Sequence, residues 1–311
     1  MSRDTRSRPA TTVRASSADA ASTDAGEGRA FRFVQFEFPW ALGPPDGRYV
    51  VRGEADGADA PPSHVLVLAT LGARERRRLR DRRPRPVGPE PPPTPVTTGR
   101  ATVVDAEPVA AAEAERWLAA AGSEVAALAL AQLARAVRAH RLASGDPAVH
   151  EPSLTQALVV RAGYGAGEQV ADGRWRAARE LPPPREPRRR RTVGLRPQER
   201  LAALLGGHTH ALACEELTLR ARHDLDHGHL REAALQLRTA LDAALGELPA
   251  VAGSSSDMAR RIAELGELQS DVEALADDAL GGVLAPDVAD RLAVVLGRLE
   301  AALRARTAAS I

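Results

Sequence analysis

The chain changes its folding vocabulary once, at a stretch from Leu181 to Arg191 made almost entirely of proline and arginine. Before it, short runs of Val, Leu, Phe and Thr alternate with turn residues. After it, from Gln198 to the end, leucine and alanine recur at helical spacing and strand-forming runs disappear. A stretch with so little to bury stays out of any core, so it divides the chain into two separately packed parts. The expected fold class is α+β: an N-terminal antiparallel sheet with covering helices over residues 30–180, a Pro/Arg-rich linker over 181–197, and an acidic all-α bundle over 198–311. Residues 1–29 mix Arg, Ser, Thr, Ala, Gly and Asp without an apolar run. They read as a disordered tail and not as a secretory signal.

Composition sharpens some inferences and weakens others. All 42 basic residues are arginine, asparagine is absent, and isoleucine occurs only at Ile262 and Ile311. This is the mark of GC-rich coding, and it roughly halves the weight of any argument from arginine alone. The first 200 residues carry 32 arginines against 24 acids and the remainder 10 against 17, so the two parts differ in sign. Such asymmetry can steer an anionic partner to the N-terminal part, or draw the two parts together. The single cysteine, Cys214, excludes an intramolecular disulfide framework and a multi-cysteine zinc site, and suits a reducing cytoplasm. The longest mostly apolar stretch, Val125 to Ala134, is about half of the ~20 residues a bilayer crossing requires. A cytoplasmic protein with no membrane helix is the expectation.

Six of the nine aromatic residues fall between Phe31 and Tyr49. Phe36, Phe38 and Trp40 alternate with Gln35 and Glu37, the period of a half-buried strand, while Phe31 and Phe33 stand in the other phase. This predicts either a bulge near Val34 or a strand buried on both faces. Gly43 to Gly47 reads as a turn into a strand at 48–52, and 64–71 and 96–104 as further strands around a long Arg/Pro-rich loop at 72–95. Two helices are predicted at 109–121 and 124–143, with Ser123 as a cap. A hairpin of strands at 155–161 and 168–175 would enclose Gly163 to Gly167. In the second part, glycine and proline punctuation predicts helices near 198–226, 229–247, 257–279 and 286–307.

No catalytic or cofactor motif passes a check of spacing. The glycines at 163–167 fail G-x-G-x-x-G because Glu168 and Val170 stand where glycine is required, and a Walker lysine is impossible in a chain without lysine. His223 and His227, four apart on a helix, could chelate a metal, but H-E-x-x-H fails at Asp224. They are weak candidates beside His208, His210 and His229. Cys214 stands before Glu215 and Glu216, whose charge opposes thiolate formation, so an inert packing cysteine is expected. No catalytic residue, no cofactor and no small-molecule substrate is assigned.

With Gly228 as the turn, Leu217, Ala221, Leu230, Ala233, Leu237 and Ala240 fall at the small and large packing positions of a helical hairpin. Residues 214–247 thereby resemble one unit of the tetratricopeptide-repeat family, departing from it at Arg220 and Asp224. The resemblance implies a protein-binding surface carried by Leu217, Ala221, Leu230, Ala233 and Leu237. The leading expectation is a non-catalytic adaptor or assembly protein that holds a partner protein. An alternative rests on two arginine runs, at 74–85 and 185–191, in which Arg76, Arg77, Arg78, Arg82, Arg83, Arg188, Arg189, Arg190 and Arg191 would contact nucleic-acid phosphates. Neither run is interleaved with the aromatics that stack bases.

Overall fold

A computed structural model of the protein describes residues 28–53, 59–72, 96–182, 197–251, 255–282 and 284–309. Both arginine runs and the tail before Gly28 lie outside the described residues. The chain divides into two compact units, one ending at Pro184 and the other beginning at Arg185. An α+β fold with an N-terminal antiparallel sheet is what the structure shows.

In the first unit, β1 (Arg29–Phe38), β2 (Gly47–Val51), β3 (His64–Leu71), β4 (Thr98–Asp105), β6 (Val159–Gly165) and β7 (Ala177–Glu180) pair in the order β2-β3-β4-β1-β6-β7, and the short β5 (Val109–Ala110) pairs with β1. Every pairing is antiparallel. The aromatic strand takes the centre because it has apolar side chains for both faces. Val34, Phe36 and Phe38 pack with Leu118 of α1 (Ala111–Ala120) and Leu133 and Val137 of α2 (Ser123–Ser144). On the opposite face Phe33 packs with Val104 and Val170 and lies 5.6 Å from the Trp175 ring. The register runs unbroken from Phe33 opposite Val104 to Phe38 opposite Gly99, so β1 is buried on both sides without a bulge. Gly163 is where β6 crosses Phe33; a Cβ there would lie 2.6 Å from the ring, and no larger residue fits.

The structure departs from two local expectations. The chain after Gly167 does not return as a strand at 168–175. It makes a 3-10 turn at Glu168–Asp172 that tucks Val170 under the sheet, and β7 forms only from Ala177. Gly167 and Gly173 bracket that turn at φ 103° and 86°, values that tie the backbone to glycine. Ser123 is the first residue of α2 and makes no cap; Gly122 holds the cap position. The carbonyls at the end of α1 are instead met by Arg179 of β7, whose Nε–H donates to Leu118 O at 2.9 Å.

The second unit comprises α3 (Pro197–Leu205), α4 (Ala213–Asp226), α5 (Leu230–Val251), α6 (Ser256–Gly266), α7 (Gln269–Gly281) and α8 (Val288–Ala309). Gly228, at φ 75°, closes the α4–α5 hairpin. Its close contact rests on alanine: Ala221, Ala233, Ala234, Ala240 and Ala244 are all within 2% of complete burial. Leu237 and Leu241 of α5 and Leu292, Leu296 and Leu299 of α8 fill the same core.

The predicted helices at 198–226 and 257–279 are each two helices. The first breaks where Gly207 takes φ 71°, and the second turns after Gly266 so that Leu268 packs on the core. Ser255 caps α6 by accepting the Met258 N–H at 3.3 Å. Among the described residues no single helix is long and apolar enough to cross a membrane; α1 and α2 together have the length but bend by 104°.

Candidate functional site

The most elaborate polar arrangement of the helical unit stands at the start of α4. The Glu247 carboxylate, carried by α5, accepts the N–H groups of Ala213 at 3.1 Å and Cys214 at 3.0 Å. Glu215 uses one oxygen for the Leu212 N–H at 3.0 Å. Its other oxygen receives Arg306 of α8 at 2.9 Å and Arg200 of α3 at 2.5 Å. Arg200 also donates to the Thr307 hydroxyl. Two carboxylates therefore neutralise the positive end of α4 and tie three other helices to it. A cavity of about 280 Å³ lies beside this knot, lined by Arg200, His208, Thr209, Arg306 and Thr307 among others.

Cys214 is buried beneath the same knot. Burial, and then the hydrogen bond and charge of Glu247, push its thiol from 9.0 up to about 12, with a further push from Glu215. The backbone N–H of Cys214 is the main cause that holds Glu247 below its ordinary value of 4.5. A thiol in this setting is a packing group and not a nucleophile. The carboxylate that matters most is Glu247, 33 residues away, which local reading of Glu215 and Glu216 does not reach.

The five hairpin residues assigned to partner binding are interior. Ala221, Ala233 and Leu237 are fully buried, and Leu217 and Leu230 pack against the same cluster. They hold the hairpin together. Exposed apolar surface appears on α3, the helix the sequence reading merged into its successor. Leu201 is 56% and Leu205 81% exposed, one turn apart on one face, and none of the nine residues of α3 is buried. Gly206-Gly207 is the signal in the sequence that separates this helix.

His223 and His227 stand together at the end of α4, ring centroids 4.1 Å apart. His227 directs Nδ1 at the His223 carbonyl oxygen at 2.8 Å, so this nitrogen carries a proton and serves as a helix-end donor. His229 faces Asp224 at 3.7 Å, and burial raises the Asp224 carboxyl above its usual range. Within the helical unit, among the described residues, no third ligand-type side chain joins the pair.

In the α+β unit the structure assembles a constellation that sequence spacing does not suggest, Ser63, His64 and Asp105. Ser63 Oγ lies 3.0 Å from His64 Nδ1, but its single proton also has the Val51 carbonyl at 3.1 Å. His64 Nε2 is 3.7 Å from Asp105, beyond hydrogen-bond range, and Arg32 holds that carboxylate at 2.7 Å. Burial lowers the imidazole pKa more than Asp105 raises it. The base is not oriented by the carboxylate, and the three residues do not make a relay. The glycines at 163–167 hold no phosphate cradle either, since Val170 fills the space above Gly165.

The chain matches no family model, no curated protein and no solved structure.

Proposed function

We propose that this protein is a non-catalytic adaptor that holds a partner protein on its helical unit. The observation that carries the reading is α3, a short helix anchored through Arg200 to Glu215 and Thr307 while Leu201 and Leu205 face solvent. Apolar side chains on a helix that buries none of its residues contribute little to the fold and are suited to the groove of a partner helix. The α4–α5 hairpin supplies the rigid base. The electrostatics of Cys214 and the proton arrangement at Ser63 and His64 both oppose nucleophilic chemistry, which favours a binding role.

The test is recovery of the tagged protein from its native cells, with nuclease present, comparing wild type with a Leu201→Glu, Leu205→Glu double variant. The reading expects one dominant co-purifying protein that the variant loses by at least tenfold while its helical circular dichroism and melting are unchanged. Equal recovery with the variant, or material that nuclease removes, overturns it.

A further inference from the structure

The sheet has one edge strand whose neighbourhood is built differently from the rest. β2 pairs with β3 on one side only, so the backbone groups along its other side have no strand partner among the described residues. α2 packs over β1 and β4, and Val51 of β2 and Leu68 of β3 join the core beneath it. Between β2 and α2 runs a groove of about 440 Å³. Tyr49 and Pro44 line it with Ala136, Ala139 and Ala143 of α2, and the nearly buried Val51 and Leu68 border it. Small residues on the helix keep the groove open, and the Tyr49 hydroxyl is held against the Pro45 carbonyl at 2.6 Å.

Two features say what would occupy it. The lining includes Arg52, Arg135 and His140, and among the described residues no aspartate or glutamate. Arg135 donates to the Arg52 carbonyl and Arg52 to the Ala60 carbonyl at 2.9 Å, which brings both guanidinium groups to one end of β2.

We propose that the groove between β2 and α2 binds an extended peptide segment of a partner by strand addition. The peptide lies along the free edge of β2, places aliphatic side chains at alternate positions on Tyr49, Pro44 and the α2 alanines, and sets a carboxylate at Arg52 and Arg135. Edge pairing supplies affinity through the main chain, and the alternating pockets supply selection. This site is separate from α3 and does not rest on the reading of the helical unit.

The experiment selects a phage-displayed random peptide library on the full chain, then titrates the labelled consensus peptide against wild type and Ala139→Glu. Ala139 is exposed on α2, so the variant keeps its fold, as circular dichroism verifies. The proposal expects a consensus of alternating aliphatic residues with a carboxylate. It also expects at least tenfold weaker binding by Ala139→Glu and at least fivefold weaker binding of a peptide whose carboxylate is neutralised. Hydrogen exchange of residues 47–52 slows when the peptide binds. No enriched peptide, unchanged binding by the variant, protection confined to other strands, or a concentration-dependent dimer that protects β2 without peptide each overturns it.

Discussion

Replacing Glu215 with glutamine removes one charge from the knot at the start of α4 and leaves its shape intact. The side chains involved are largely buried, with 15% exposure for Glu215, 10% for Arg306 and 24% for Arg200. Hydrogen bonds to charged groups contribute about 1.5–3 kcal/mol, and stranding one member of a buried ion pair costs about 3–5 kcal/mol. Glutamine still offers one oxygen to an arginine, which brings the expected loss to about 2–3 kcal/mol. With a urea slope of about 2 kcal/mol per molar, the midpoint falls by roughly 1–1.5 M. All nine aromatic residues precede Pro184, so circular dichroism at 222 nm, to which α3–α8 contribute most of the helix, is the probe for this unit. A cycle with Arg306→Met should return a coupling of about 1 kcal/mol or more. A midpoint shift below about 0.3 M, or a coupling near zero, would refute the claim that Glu215 ties α3 and α8 to α4.

Further outcomes follow from the same packing. Glu247 is held below 4.5, so its contribution to stability is complete above that pH and is lost as pH falls through its folded value. Glu247→Gln should therefore be less stable than wild type at pH 7, with the gap closing in urea titrations taken to pH 3.5; a gap that widens on acidification contradicts the assignment. Cys214, at about 12 instead of 9.0, has about a thousandth of the usual thiolate. Allowing for the greater nucleophilicity of a more basic thiolate, iodoacetamide labelling should be roughly 10- to 100-fold slower than in the unfolded chain before burial is counted. Labelling at the unfolded rate would show that the thiol is not enclosed. Ala233→Leu places extra methylenes in the α4–α5 contact and should cost about 1–3 kcal/mol, read as a lower melting temperature of the 222 nm signal; an unchanged melt would mean the hairpin is looser than its 2% exposure implies.

How legible the fold was depends on the range of the forces involved. The β1 strand announced itself because Phe36 and Phe38 alternate with Gln35 and Glu37, and its burial on both faces is the second phase of Phe31 and Phe33 made real. β3 begins and ends where its Val/Leu run does, and α8 follows its leucines. The break between α3 and α4 was harder to read. Leucine and alanine keep helical spacing on both sides of Gly206-Gly207, and the new helix start is stabilised by Glu247 from α5, 33 residues on from Cys214. The 3-10 turn at Glu168–Asp172 likewise exists because Val170 has a place beneath Phe33, which no local pattern declares. The exposed face of α3 was hidden by the missed break, and the β2–α2 groove joins residues about 80 positions apart. Residues chosen for partner binding by helical spacing proved to be core, because spacing marks the packed face of a helix and says nothing of the face left over.

The central claim is that α3 meets a partner protein, and a photo-crosslinking amino acid placed at Leu205 in native cells tests it most directly. The account predicts one defined protein adduct from position 205 and none from Leu280 on α7, another exposed leucine of the helical unit. No adduct at position 205, or the same adducts from both positions, would contradict it.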